Sequence, residues 1–239
     1  MRQRYSAIIV AGGTGSRAGG SLPKQLRLVA GRPMLWWSVK AFHDFDSDVN
    51  IVVVLHRDYI DKWRKLFEAL PEEERIPHLI AVGGITRCES VRIGLAMLQQ
   101  CCNEGLVAVH DAARPMLQPD MIEAGFDACE STGVGMVPVI PLTDSIRGLL
   151  PDGGSVAERR DRFVGVQTPQ VFSISQLSAA YEAIDVADTA FTDDASVAEA
   201  CGMRVALYPG SPENIKVTYP IDFIIARHCL KARRRQGCD

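Results

Sequence analysis

Short apolar runs bounded by turn residues recur along the chain and alternate with longer amphipathic segments. The first run, Ala7 to Ala11, has the unbroken apolar character of a strand buried on both faces. Ile51 to Leu55, Ile80 to Val82, Leu106 to Val109 and Val134 to Val139 repeat it, and Arg204 to Leu207 predicts one more strand. Between them the spacing predicts helices. Pro33 to Phe42 would turn Met34, Leu35, Trp36 and Val39 inward, and Tyr59 to Leu70 is amphipathic and closed by Pro71. Thr86 and Glu89 form a capping-box signature for a helix to Gln100. Pro119 stands where a first helical residue belongs, opening a helix to about Cys129. Further helices are predicted over Ser173 to Ile184, over Asp193 to Ala200, and from Pro220. Regular alternation of this kind predicts an α/β fold: a Rossmann-like, mostly parallel sheet with helices on both faces. No internal repeat or low-complexity linker interrupts it, so one domain over residues 1–239 is expected.

The rhythm breaks over residues 141–166, a polar, turn-rich stretch with Pro151-Asp152-Gly153-Gly154 at its centre. Two extended limbs around that turn predict a protruding hairpin arm; a disordered loop is the other reading.

Composition narrows the class. The chain is 47% hydrophobic and 23% charged, ordinary for a globular protein. A formal charge of −3 gives no global field to draw in nucleic acid. The basic tail Lys231-Ala232-Arg233-Arg234-Arg235 reads as the solvated end of a helix, where cations complement the dipole, with an anion-binding arm as the alternative. Seven cysteines, an odd number with no C-x-x-C pair, predict reduced thiols in a cytosol, neither a disulfide frame nor a zinc site. The apolar run after Arg2 and Arg4 is too short for a signal sequence, and no run reaches the roughly 18 residues of a membrane span. A cytoplasmic protein without membrane or nucleic-acid partners is expected.

The candidate chemistry begins where the first strand ends. Gly12, Gly13, Gly15, Gly19 and Gly20 let backbone N–H groups turn toward a bound anion, and Arg17 and Lys24 flank them. Such a loop suits a triphosphate better than a neutral ligand. Gly13 to Ala18 also fits the dinucleotide pattern G-x-G-x-x-G/A, but the window Gly31 to Lys40 lacks the acidic residue that pattern requires. No Gly-Lys-Ser/Thr follows the glycines, so a Walker loop fails too. An ordinary tight βα turn is the plain alternative. Gly83-Gly84 and His110-Asp111 also fall at strand carboxyl ends, so three separate stretches are expected to converge on one crevice. Asp111, beside the small Ala112 and Ala113, suits Mg²⁺ or a ribose hydroxyl, or else caps the next turn. His110 is read as a packed neighbour, and Arg114-Pro115 as fixing the loop.

Ala11-Gly12-Gly13-Thr14-Gly15-Ser16-Arg17, followed by Leu22-Pro23-Lys24-Gln25, resembles nucleotidyltransferases that couple a CTP-like nucleotide to a sugar phosphate. Further matches are Gly83-Gly84 with Arg87 and Ser90, Val109 to Pro115, Thr168-Pro169-Gln170, Thr192-Asp193-Asp194-Ala195-Ser196, and Asn214 to Thr218. In this order they resemble the 2-C-methyl-D-erythritol 4-phosphate cytidylyltransferase family of the non-mevalonate isoprenoid pathway, from about Ser6 to the helix after Pro220.

The resemblance implies CTP and a polyol phosphate as substrates, Mg²⁺ as cofactor, and a homodimer embraced through the arm. It implies Arg17, Lys24 and Lys216 as catalytic cations. For the nucleotide it implies Ala11, Gly12, Gly13, Thr14, Gly15, Gly83, Arg87, Ser90, Asp111 and Ala112, with Asp111 also at the metal. For the polyol phosphate it implies Ser145, Arg160, Thr168 and Thr192, Arg160 reaching the partner subunit's site. Ser145 stands where the family more often has threonine, and Arg160 is chosen over Arg159 and Arg162 by family spacing alone. From the residues themselves, Lys216 could be an exposed or paired strand residue, and Arg87 a solvated residue in a first helical turn. Asp193 and Asp194 either cap a helix or bind substrate hydroxyls. The resemblance also includes relatives with a fused cyclase domain; with so few residues after the last helix, none is expected here. Competing functions are a cytidylyltransferase for another polyol phosphate such as ribitol 5-phosphate, a non-catalytic nucleotide-binding regulator, and, more distantly, a nicotinamide dehydrogenase.

Overall fold

A computed structural model describes residues 5–12, 22–188 and 190–236. In chain order the elements are β1 (Tyr5–Ala11), β2 (Leu28–Val29), β3 (Arg32–Pro33), α1 (Met34–Phe45), β4 (Asn50–Leu55), α2 (Ile60–Glu68) and β5 (Leu79–Val82). Then come α3 (Arg87–Gln99), β6 (Leu106–Asp111), α4 (Pro119–Thr132), β7 (Gly135–Pro141), β8 (Ile146–Leu149), β9 (Ser155–Glu158), β10 (Val164–Val166) and β11 (Gln170–Ser173). The chain ends with α5 (Ile174–Ala183), α6 (Asp194–Ala200), β12 (Val205–Pro209) and α7 (Pro220–Gln236).

β1 lies at the centre of the sheet, parallel to β4 on one side and β6 on the other, with β5 outside β4. Successive side chains of a strand point to opposite faces. Ala7, Ile9, Ala11, Ile51, Val53, Leu55 and Ala108 therefore enter one core, with Leu35 and Phe42 of α1 and Ile122 and Phe126 of α4. Ile8, Val52, Val54, Val107 and Val109 enter the other, with Val91 and Leu95 of α3, Leu177 and Tyr181 of α5 and Val197 of α6. The doubly covered sheet expected from the sequence is what forms. Full burial of each large aliphatic side chain contributes about 1.5–3 kcal/mol.

The far side of the sheet is where sequence reading falls short. Met136 of β7 pairs with both Val171 and Ala206, and Val139 with both Val166 and Pro209. β7 is thus enclosed between parallel β12 and one antiparallel lane made of β10 and β11. That lane is broken at Gln167–Pro169, where the Thr168–Pro169 peptide is cis. Stretches of three and four residues around a proline set up no hydrophobic period, so the sequence pattern predicts neither strand. The β2–β3 ribbon, two residues a strand, sets up no period either, and Pro33, expected to open the first helix, ends β3 instead.

The polar stretch forms a hairpin, not a disordered loop. β8 and β9 pair antiparallel from Ile146↔Glu158 to Leu149↔Ser155, apart from the main sheet. The turn closes through Leu150 N–H to the Gly154 carbonyl at 2.9 Å. Gly153 takes φ of 84°, a conformation that favours glycine. Leu149 is 87% exposed, and Val156 and Phe163 are also open to solvent. Among the described residues, no helix is long and apolar enough to cross a membrane.

Candidate active site

The carboxyl ends of β1, β5 and β6 open on the same side of the sheet, because those strands run parallel through β4 and β1. From β1, the chain leaves at Gly12 and returns at Lys24-Gln25-Leu26, a single 3₁₀ turn. Gln25 secures the return by donating from Nε2 to the Ala11 carbonyl at 2.6 Å. Gly13, Thr14, Gly15 and Arg17 lie outside the described residues. Lys24 Nζ donates to the Val217 carbonyl at 2.7 Å, and Val217 N–H bonds the Ala113 carbonyl at 2.8 Å. The turn at Lys24, the loop after β6 and the segment around Lys216 are therefore stitched together.

Asp111, the last residue of β6, is the hub. Its Oδ2 accepts from Lys216 Nζ at 2.6 Å and its Oδ1 from Arg87 Nε at 3.3 Å. Burial opposes ionisation of this carboxyl, but the charges of Arg87 and Lys216 hold it well below the usual carboxylate range. Arg87 opens α3, and its two terminal nitrogens fork onto Asp194 at 3.1 and 2.7 Å. Burial works against that guanidinium, while Asp194 and Asp111 raise its pKa well above normal, so it stays charged. Arg87 is therefore a paired cation at the site, with 23% of its side chain exposed.

Behind Asp111 runs a second chain of hydrogen bonds. Asp111 N–H donates to Thr168 Oγ1 at 3.1 Å, and Thr168 Oγ1 contacts His110 Nδ1 at 3.0 Å. His110 Nε2 contacts the Arg114 carbonyl at 3.2 Å. A carbonyl can only accept, so Nε2 carries the proton and Nδ1 accepts from the Thr168 hydroxyl. Burial pushes the His110 pKa down to about 4, which keeps the ring neutral. His110 packs edge-on against Phe42, a buried neighbour of the site as the sequence suggested. Arg114 donates to the Asn214 carbonyl at 2.8 Å and the Val166 carbonyl at 3.3 Å, fixing both loops.

On the β5 side, Ser90 Oγ accepts from Gly84 N–H at 3.2 Å and donates to the Thr86 carbonyl at 2.9 Å. A Cβ on Gly83 or Gly12 would come within 3.1 or 3.3 Å of that oxygen, so both glycines give Ser90 its room. Thr86 caps α3 by accepting from Glu89 N–H at 3.0 Å. The Glu89 carboxylate, however, binds Ile85 N–H at 2.7 Å, one residue before the expected capping-box partner. Ala112 is buried and its N–H bonds the Val10 carbonyl at 3.0 Å.

The remaining predicted residues divide. Thr168 is buried, with its hydroxyl engaged as described. Thr192 is exposed just ahead of Asp193, which caps α6 in a capping box with Ser196. Of the two readings for that aspartate pair, capping holds for Asp193. Asp194 does something the sequence did not reveal: it is the buried counter-ion of Arg87. Tyr181, which donates to Asp194 at 2.6 Å, gave no signal either. Ser145 and Arg160 belong to the exposed arm, where Arg160 bonds the Thr143 carbonyl at 2.5 Å. Among the described residues, no group of three or more His, Cys, Asp or Glu side chains could hold a metal by itself.

The family described as 2-C-methyl-D-erythritol 4-phosphate cytidylyltransferase (IspD) matches residues 5–232. The chain belongs to that family. The cytidylyltransferase of this name from Phocaeicola vulgatus is 43% identical over 219 residues, covering 92% of this chain and 96% of its own. The one from Bacteroides fragilis is 42% identical over 226 residues, covering 94% and 99%. The crystal structure of 4-diphosphocytidyl-2C-methyl-D-erythritol synthase from Anaerococcus prevotii superposes with a TM-score of 0.78 at 24% identity, covering 96% of this chain and 99% of that one, which supports the fold. As a member of the cytidylyltransferase family the chain is a nucleotidyltransferase.

Proposed function

We propose that the chain transfers the cytidylyl group of CTP to 2-C-methyl-D-erythritol 4-phosphate, releasing pyrophosphate, in isoprenoid-precursor biosynthesis. The observation that carries this reading is the pairing of Arg87 and Lys216 with Asp111 at the carboxyl ends of parallel strands, with Lys24 bonded to the Val217 carbonyl next to Lys216. A phosphate oxygen of the polyol attacks the α-phosphorus of CTP in line, forming a P–O bond as the bond to pyrophosphate breaks. The nucleophile is already an anion, so no general base is required. The barrier lies in bringing two polyanions together, and fixed cations lower it. Lys216 suits that work, because its side chain is 46% exposed and can turn from Asp111 toward a phosphate. Lys24 and Arg17 complete the proposed cation set.

The site fits Mg²⁺. Asp111 is an ionised, hard oxygen donor, and Mg²⁺ is commonly held by one or two carboxylates plus substrate phosphates and water. Bound there, it would neutralise charge on the triphosphate oxygens.

The arm supports a homodimer in which Arg160 grips the polyol phosphate in the partner subunit's site. A cytoplasmic enzyme is part of the same reading. Pyrophosphate release tests it, measured with CTP and either 2-C-methyl-D-erythritol 4-phosphate or ribitol 5-phosphate. Turnover with the first is expected; turnover with only the second, or with neither, overturns the substrate assignment.

A further inference from the structure

We infer that Tyr181 and Asp194 are positioning residues for nucleotide binding: they commit the Arg87 fork, so that only its Nε faces Asp111. The inference rests on the reading that the Asp111 cluster takes CTP.

Asp194 has no exposed side-chain surface, and a carboxylate without water must find its donors inside the protein. It finds three. Arg87 supplies two N–H groups, at 3.1 and 2.7 Å, and the Tyr181 hydroxyl supplies the third at 2.6 Å. The donors come from the start of α3 and the interior of α5 and the carboxylate from the start of α6, so three helices are tied to one point. Burial and the nearby Asp194 charge push the Tyr181 pKa up, which keeps the hydroxyl a donor.

The consequence for Asp111 follows from guanidinium geometry. An arginine left with a single carboxylate prefers to grip it with two parallel hydrogen bonds. Arg87 does this to Asp194, and Asp111 receives one longer bond, 3.3 Å to Oδ1. Oδ2 is then left for an exchangeable partner, here the half-exposed Lys216. Without the Asp194 anchor, Arg87 would be free to clamp both oxygens of Asp111 and block that exchange. A pair that only stabilised the helices would have no such effect on Asp111.

The test is a double-mutant cycle read by CTP affinity. Calorimetric titration with CTP and Mg²⁺ is run on wild type, Tyr181→Phe, Asp111→Asn and the double variant, each checked for a cooperative melt. Loss of a hydrogen bond to a charged group predicts CTP binding about five- to tenfold weaker in Tyr181→Phe. The loss should appear in KM for CTP more than in kcat. In the Asp111→Asn background the same substitution should have almost no further effect. Should Tyr181→Phe melt too early to titrate, Asp194→Asn is read by the same cycle. A folded Tyr181→Phe with wild-type CTP affinity overturns the inference. So does an equal fold-loss with and without Asp111, which would mean packing alone. A wild-type chain that binds no CTP would overturn the reading of the site itself, and this inference with it.

Discussion

Lys216 and Asp111 are 105 residues apart in the chain and their charged atoms lie 2.6 Å apart in the fold. The pair closes a line of alternating charge, Lys216–Asp111–Arg87–Asp194, from the half-exposed rim to a fully buried carboxylate. Each charge is compensated by its neighbours, so removing one changes the others.

Lys216→Ala should separate catalysis from stability. An ion pair with a half-exposed lysine contributes at most about 1 kcal/mol to folding, so the melting curve should stay near wild type. Turnover should fall about 10²–10³-fold, or roughly 3–4 kcal/mol, the usual cost of losing one preorganised donor. Lys24→Ala should lose turnover on the same scale. Steady-state pyrophosphate release checks both; near-normal rates in both variants would remove them from the mechanism.

Asp111→Asn keeps the side-chain shape and takes away the charge. Chelating divalent cations from wild type should abolish turnover, and readdition of Mg²⁺ should restore it. In Asp111→Asn the Mg²⁺ concentration for half-maximal rate should rise by about tenfold or more, the loss of one charged ligand. A Mg²⁺ titration unchanged by the substitution would place the metal elsewhere.

Stability should fall with acid in a window set by His110. Its folded pKa is about 4 against an ordinary value of 6.5, so the unfolded chain binds this proton first. The neutral ring's contribution is fully present above pH 6.5 and is lost as pH falls toward 4, by up to about 3 kcal/mol. Asp111 acts lower: its carboxyl is depressed in the folded state, so its contribution is lost as pH falls below the ordinary 3.8. Denaturant unfolding between pH 7.5 and 4 measures the first window, and a flat profile there would contradict it.

The arm predicts association. Leu149 is 87% exposed on a hairpin that stands apart from the main sheet. The intact chain should sediment as a dimer, and Leu149→Asp or deletion of 146–158 should shift it toward monomer. A monomer for the intact chain would contradict the embrace.

The central sheet and its helices were legible in the sequence because β1, β4 and β6 are buried on both faces and read as unbroken apolar runs. The hairpin was legible through Pro151 to Gly154. β10 and β11 were not, since each is too short for a period to establish itself. At the site, glycines and strand ends point to the crevice and to Asp111, while Arg87 and Lys216 stand out only through the family resemblance. The anchor of Arg87 leaves no mark in the sequence, because Asp194 beside Asp193 reads equally well as part of a helix cap. Tyr181 sits in a plain amphipathic helix, and only the folded chain brings its hydroxyl to Asp194.

The most direct test of the account is a crystal structure with CTP and Mg²⁺ bound. It should show Lys216 turned from Asp111 onto the triphosphate, joined there by Lys24 and Arg17, with Arg87 still forked on Asp194. A bound nucleotide whose phosphates touch none of those three cations would contradict it.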